Sequence, residues 1–199
     1  MKAFDPETLA FYAQEAPIYA ASGPKGTSRY LARFMAMVPP DGSILELGCG
    51  GGKDAAEMIA HGFAVEPTDG TPALAAEAAK VLGQAVRVMR FDELEVVEGY
   101  HAIWASASLL HVPRASLADV LALIHRALHP GGIFAASFKG GDAEGRDRFG
   151  RYYNFPDREW LETSYQSAAQ WKSLEVEESM GSGYDGVVTP WYVVWARKA

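Results

Sequence analysis

Glu46 is followed by Gly48, Gly50, Gly51 and Gly52, with Leu47 and Cys49 interleaved and Lys53 and Asp54 behind them. An acid heading such a glycine cluster suits a ligand held against bare backbone. Glycine lacks a Cβ, takes positive φ readily, and lets a bulky group rest on main-chain N–H groups. Ile44, Leu45 and Leu47 have the apolar character of a buried parallel strand, and Lys53 to His61 reads as a helix. The cluster is therefore predicted on a strand-to-helix turn, where the helix N-terminus adds its own amides.

Spacing separates the ligands that use such turns. A P-loop needs a glycine, four residues, then Gly-Lys-Ser/Thr; Gly52-Lys53 is present, but position 47 is Leu and position 54 is Asp, so no hydroxyl is available for Mg²⁺. A dinucleotide turn is partly imitated by Gly48 and Gly50, but its sixth position is Lys53, where a small residue is needed for the helix to pack against the strand. The pattern acid-x-Gly-x-Gly-x-Gly, here Glu46, Gly48, Gly50 and Gly52, resembles the first motif of the class I S-adenosylmethionine-dependent methyltransferases. A carboxylate at Glu46 would oppose a pyrophosphate but can hold an ammonium, directly or through water.

Further motifs follow in the order of that family. Asp69 ends the segment G-F-A-V-E-P-T-D, nineteen residues after Gly50, which fits the acid about 20 residues on that binds a ribose hydroxyl in doubly wound nucleotide sites. Gly70 and Thr71 follow it; Thr71 is a plausible N-cap and Pro72 suits a first helical position. Glu66, inside the strand, is the weaker candidate. In V-R-V-M-R-F-D-E-L the resemblance implies that Asp92 accepts from an adenine amino group while Phe91 packs on the ring. It also gives Leu-x-Pro-Gly-Gly, closing at Gly132, as the turn into a fifth strand. On this resemblance the cofactor set is Glu46, Leu47, Gly48, Cys49, Gly50, Gly52, Asp54, Asp69, Gly70, Thr71, Phe91, Asp92 and Ser106. The cofactor is S-adenosyl-L-methionine, which leaves as S-adenosyl-L-homocysteine. No Asn/Asp-Pro-Pro-Tyr/Phe motif follows the fourth strand; Ser106-Ala107-Ser108-Leu109 stands there.

Methyl transfer asks mainly for alignment and exclusion of water, because the donor methyl is already activated. Where the acceptor needs deprotonation, His111 in L-L-H-V-P is the candidate base. Arg151, Tyr152 and Tyr153, in the glycine-rich charged loop 139–156, are candidate acceptor-binding residues.

The elements that must position these groups read as an α/β fold: a three-layer, doubly wound, mostly parallel sheet, which the resemblance makes seven-stranded with an antiparallel last strand. Leu117, Val120, Leu121, Ile124 and Leu128 recur on one helical face ahead of Pro130-Gly131-Gly132. Residues 4–38 read as two helices around Gly23-Pro24-Lys25-Gly26, expected to lie over the cofactor edge as a lid. Tyr12, Tyr19 and Arg29 are then placed near the methionine end, with Arg29 able to meet a carboxylate in a two-pronged pair. Asp157 and Glu159 open a later helix, and Trp171 to Met180 and Pro190 to Arg197 read as strands. The expectation is one domain over residues 1–199: a helical lid over 1–38, a cofactor-binding core over 40–138, and an acceptor-side loop, helix and hairpin over 139–199.

At 199 residues the chain is long enough for a three-layer core, with 49% hydrophobic residues and a net charge of −7. The densest basic group, Arg146, Arg148 and Arg151, is interrupted by Asp147. This argues against nucleic acid as substrate. The single cysteine, Cys49, excludes an internal disulfide, and the five histidines lack metal-ligand spacing, so no metal is expected. No apolar run approaches membrane-spanning length and M-K-A-F-D-P-E-T opens no signal segment, so a cytoplasmic protein without a membrane partner is expected. The reading is a methyltransferase acting on a small molecule, monomer or homodimer, resembling the ubiquinone/menaquinone-type and tellurite-resistance-type enzymes. The competing readings are an NAD-dependent oxidoreductase using the same glycine turn and a module that binds S-adenosylmethionine without transferring its methyl.

Overall fold

The computed structural model describes residues 2–22 and 26–199. The break expected at Gly23-Pro24-Lys25 falls outside the described residues. In chain order the elements are α1 (Pro6–Ser22), α2 (Leu31–Met37), β1 (Ser43–Leu47), α3 (Lys53–Ala60), β2 (Ala64–Asp69), α4 (Pro72–Leu82), β3 (Arg87–Val88), β4 (Tyr100–Ala105), α5 (Arg114–Ala127), β5 (Leu128–Lys139), β6 (Gly145–Arg146), β7 (Tyr152–Tyr153), α6 (Arg158–Ala168), β8 (Trp171–Ser182) and β9 (Val188–Lys198).

Seven strands form one sheet in the order β3-β2-β1-β4-β5-β9-β8. All neighbours from β3 to β5 are parallel, and β9 runs antiparallel to both β5 and β8. The expected architecture is therefore the observed one. Parallel strands need crossovers, and the 3.6-residue apolar repeats of α3, α4 and α5 supply helices that cover the faces. Leu117, Val120, Leu121 and Ile124 of α5 pack with Leu161 and Tyr165 of α6 on one face. Leu31 and Phe34 of α2 pack with Met58 of α3 against Ile44, Trp104 and Trp195 on the other.

That packing corrects half of the lid expectation. Helix α2 is a layer helix whose Phe34 ring lies 4.8 Å from the Trp104 ring, so only α1 lies over the glycine turn. The long apolar repeat of α5 also stops earlier than expected. Leu128 already pairs with Tyr100 of β4, the register shifts, and regular pairing resumes at Ile133. Gly131 turns at φ +75° there, and a Cβ on Gly132 would meet the His129 carbonyl at 2.8 Å. The acceptor-side loop holds a short β6–β7 hairpin that its polar composition did not announce. The final strands run two residues or fewer beyond each expected end.

Register fixes the site. Leu45 pairs with both Glu66 and Ile103, so β1, β2 and β4 end level and their following loops emerge on one edge of the sheet. Open parallel sheets hold ligands at such carboxyl ends.

Candidate functional site

The glycine turn is pinned before any ligand arrives. Gly48 and Cys49 donate to the Thr68 carbonyl at 2.9 and 2.8 Å, and Gly50 donates to Asp69 Oδ2 at 3.1 Å. Gly48, Gly50 and Gly52 take φ of +75°, +55° and +78°, the left-handed region that penalises a Cβ. Space forbids one as well, because a Cβ on Gly48 would stand 2.6 Å from the Ser108 Cβ. Helix α1 crosses directly above: a Cβ on Gly51 would meet the Ala20 Cα at 3.2 Å, and one on Gly50 the Tyr19 ring at 3.4 Å.

Beneath α1 lies a cavity of about 510 Å³, within the range of small-molecule and cofactor sites. Its wall brings together Glu46, Gly48, Cys49, Gly50 and Asp54 from the first motif and Asp69, Gly70 and Thr71 from the second. Phe91, Ser106, His111, Tyr12, Tyr19 and Arg29 also reach it. Thus residues from six separate segments of the chain share one surface.

Three of these are acids, Glu46 and Asp69 buried and Asp54 half-buried. Asp54 accepts from Ser28 N–H at 2.8 Å and from the Trp104 indole at 2.9 Å. Asp69 accepts from the N–H groups of Gly50 and Thr71, the latter at 2.8 Å. Burial pushes the Asp69 carboxyl up to about 6 against those hydrogen bonds, and burial likewise raises Asp54. Glu46 is 3% exposed and its Oε2 has no hydrogen-bond partner. Burial first, then the charges of Asp54 and Asp69, hold its carboxyl well above the usual carboxylate range. A wall of this kind favours a cation carrying N–H donors and opposes an anion.

The opposite chemistry lies at His111. Its Nδ1 is 2.6 Å from the Tyr152 carbonyl, which can only accept, so Nδ1 carries the proton. Nε2 therefore accepts from the Tyr12 hydroxyl at 2.9 Å. Burial lowers the imidazole to about 4, outweighing the Tyr152 carbonyl that raises it. The ring is neutral near pH 7, with its lone pair engaged by Tyr12. Arg151 Nη1 in turn donates to Tyr12 Oη at 2.8 Å. Ala107, a non-glycine at φ +50°, sits between Ser106 and Ser108 on the wall with its N–H on Ser137 Oγ at 2.8 Å. Backbone held in that region is kept only by its surroundings.

Several expected residues stand elsewhere. Leu47 is fully buried core, and Gly52 caps α3 against Ala78 and Leu82. Asp92 is not on the wall; it accepts from Arg90 Nε at 3.2 Å and faces the Ala3 N–H, while its neighbour Phe91 does line the cavity. Arg29 reaches the wall but donates to Tyr30 Oη at 2.6 Å and to Ser179 Oγ. Arg151, expected to meet an acceptor, is 1% exposed. Its guanidinium donates to Asp147 Oδ2 from Nε at 3.0 Å and from Nη2 at 2.6 Å, inside the rings of Phe11, Tyr12, Phe149, Tyr153 and Tyr184. Three of its five N–H donors are spent on Asp147 and Tyr12, and the group is shut away from an acceptor by its burial. Tyr153 is buried against His111, and the Tyr152 hydroxyl is spent on Glu144. Conversely Thr8, Ser108, Ser137 and Trp191 line the cavity without having been anticipated. Only Ser108 stood within a noted motif; the other three sit at ordinary helix and strand positions.

Among the described residues no helix is long and apolar enough to cross a membrane, and no group of three or more His, Cys, Asp or Glu is placed to hold a metal ion.

Comparison with known proteins adds independent weight. Residues 44–132 match the family model described as a methyltransferase domain. An uncharacterized methyltransferase of Synechocystis sp. is 31% identical over 100 residues, 49% of this chain and 47% of that protein. The chain thus spans about half the length of the curated relative it matches. Among solved structures, the Burkholderia thailandensis 1,6-didemethyltoxoflavin-N1-methyltransferase, bound to 1,6-didemethyltoxoflavin and S-adenosylhomocysteine, is 19% identical with a TM-score of 0.70, covering 96% of this chain and 85% of that one. The [4+2]-cyclase SpnF is 17% identical with a TM-score of 0.71, covering 100% and 99%. At such identities the likeness is one of fold.

Proposed function

We propose that this chain, whose residues 44–132 belong to the methyltransferase-domain family, transfers a methyl group from S-adenosylmethionine to a small-molecule acceptor. The observation that carries this reading is the pairing of a Cβ-intolerant glycine turn with three acids on one wall, two of them buried. The residues present fit the donor. Gly48 and Gly50 leave a cradle that a side chain would fill, and the orphaned Glu46 Oε2 asks for a cationic N–H donor. A pyrophosphate would meet those acids instead, which counts against the NAD reading.

On this reading Glu46 and the glycine turn hold the amino-acid end of the cofactor, Asp69 takes the ribose hydroxyls, and Phe91 packs on the base. The bound cofactor supplies a methyl already activated by its sulfonium. Helix α1, with Tyr12 and Tyr19, excludes water and bounds the acceptor's space. His111 receives a proton only through Tyr12: the Tyr12 oxygen takes the acceptor's proton as its own moves to His111 Nε2. Alignment supplies most of the acceleration, and this relay serves acceptors that must lose a proton.

Support for a small acceptor comes from the size of the cavity, about 510 Å³, the net charge of −7, and the Burkholderia neighbour's small heterocyclic ligand. In the Arg146–Arg151 segment, Arg146 is tied to Asp5 and Arg151 to Asp147, which counts against a phosphate-gripping face there. The test is isothermal calorimetry with S-adenosylmethionine, S-adenosylhomocysteine and NAD(H), then donor consumption across phenols, thiols, carboxylates and heterocyclic amines. Tight NAD(H) binding without S-adenosylmethionine binding overturns the reading. The SpnF likeness makes the second assay necessary, since this fold alone does not assign a reaction.

A further inference from the structure

Glu46 differs from the other two acids of the wall in one respect. Asp54 and Asp69 each collect two donors from the protein. Glu46 Oε2 collects none, although the residue is 97% removed from solvent and ends on the cavity. A buried, unpaired carboxylate between two donor-stabilised carboxylates is costly, and the cheaper state carries a proton.

We propose that Glu46 is a proton-exchanging counter-ion: it is protonated when the cavity holds no ligand and releases that proton when a primary ammonium arrives to donate to Oε2. The inference rests on the methyltransferase reading, because the ammonium is that of the cofactor's amino-acid end. An ammonium rather than the sulfonium is specified because the orphaned oxygen lacks a hydrogen-bond donor, and a sulfonium has no N–H to give. In bond terms, the Glu46 O–H breaks, its proton passes to solvent or buffer, and an N–H···O⁻ contact forms.

The surrounding groups agree. Facing Glu46 are Asp54 from α3, Asp69 from β2 and the Cys49 thiol from the glycine turn, whose own ionisation burial and Glu46 both oppose. The cations of the wall are Lys53, Arg29 and Arg90. Arg90 is held by Asp92 and Glu93, the latter at 2.7 Å, and Arg29 by Tyr30 and Ser179. Lys53 precedes Asp54 on the first turn of α3. Burial raises Tyr12 and Tyr19 and lowers His111 to about 4, so these three groups of the wall are neutral near pH 7 and supply no charge.

The experiment is calorimetric titration at pH 7.0 in buffers of different ionisation enthalpy, where the slope of observed heat against buffer enthalpy counts protons exchanged. At this pH Asp69 is largely ionised and the ligand's amino group largely protonated. The wild-type protein is expected to release close to one proton on binding S-adenosylmethionine or S-adenosylhomocysteine. It should release close to none on binding 5′-methylthioadenosine, which lacks the amino-acid end. E46Q, an isosteric variant, is expected to bind S-adenosylhomocysteine with near-zero release.

Binding heat independent of buffer in the wild type, equal release from E46Q, or equal release with 5′-methylthioadenosine overturns the inference while leaving the methyltransferase reading intact. Release with S-adenosylmethionine but not S-adenosylhomocysteine would assign the proton to the sulfonium and also overturn it. Absence of binding by either ligand overturns the methyltransferase reading and the inference with it. Should E46Q not fold, the contrast between S-adenosylhomocysteine and 5′-methylthioadenosine on the wild type decides alone.

Discussion

The Tyr12 hydroxyl donates to His111 Nε2 across 2.9 Å although the two residues are 99 positions apart. One stands on α1, outside the segment matched by the family model, and the other follows β4 inside it. On the proposed mechanism this contact is where the covering helix meets the chemistry. Y12F removes the proton that the relay must pass while keeping the ring in place. Turnover with a protic acceptor should fall roughly 10- to 100-fold, with cofactor affinity within about twofold of wild type, as read by steady-state kinetics beside calorimetry. Equal losses in both would reduce Tyr12 to a wall residue. H111A should likewise cost more turnover than cofactor affinity.

Asp69 gives a pH signature. Its carboxyl sits at about 6 in the folded protein against 3.8 for an exposed one. The fold therefore retains this proton to higher pH than the unfolded chain does, so the stabilisation is complete below pH 4 and is lost as pH rises to about 6. Over that window the ligand-free wild type should lose on the order of 1 to 3 kcal/mol relative to D69N, measured by urea denaturation at stepped pH. Parallel profiles for the two proteins would show that Asp69 does not titrate there.

Asp69→Ala also removes the ribose partner on our reading. Cofactor affinity should weaken by on the order of 1.5 to 3 kcal/mol, read by calorimetry at pH 8, where the wild-type carboxylate is fully ionised. Unchanged affinity would take Asp69 out of the binding wall.

Gly50→Val places a branched side chain at φ +55° and within 3.4 Å of Tyr19. Ligand binding should disappear, while the far-ultraviolet circular dichroism spectrum stays near wild type and the melting temperature drops by several degrees. Retained binding would mean that the turn does not carry the ligand.

Arg151→Met leaves Asp147 buried at 3% side-chain exposure without its partner. Stability should fall by about 3 to 5 kcal/mol, and amide exchange in α1 should quicken before exchange in β1 and β4. The double change D147L with R151M should recover much of that loss, since both buried charges then go together. A double variant no better than R151M would mean that the pair is not the source of the cost.

What could be read from the sequence was what is local. The glycine turn, the strand it ends and the helix it starts lie within residues 43–60, and their types suffice to predict them. The ends of β2 and α5 were marked by Asp69-Gly70 and by the apolar repeat. Asp92 and Arg151 show the limit. Asp92 has the motif spacing, but its carboxylate accepts from Arg90 Nε, two residues earlier, and the residue is not on the cavity wall. Arg151 looked like a loop arginine because three of its five ring partners, Phe11 and Tyr12 on α1 and Tyr184 in the β8–β9 turn, lie outside its own loop. Helix α2 was mistaken for lid because aromatic residues at helical spacing suit a core layer and a cover equally well.

The Arg151 guanidinium has a consequence for engineering. It joins α1, the 145–153 hairpin and the β8–β9 turn at one point, with Lys139–Asp185 tying the same turn to β5. These segments cannot be exchanged piecemeal. A chimera importing one relative's covering helix, without its matching hairpin and turn, would strand an ion in a greasy socket, whereas a graft of all three would keep that ion's partners together.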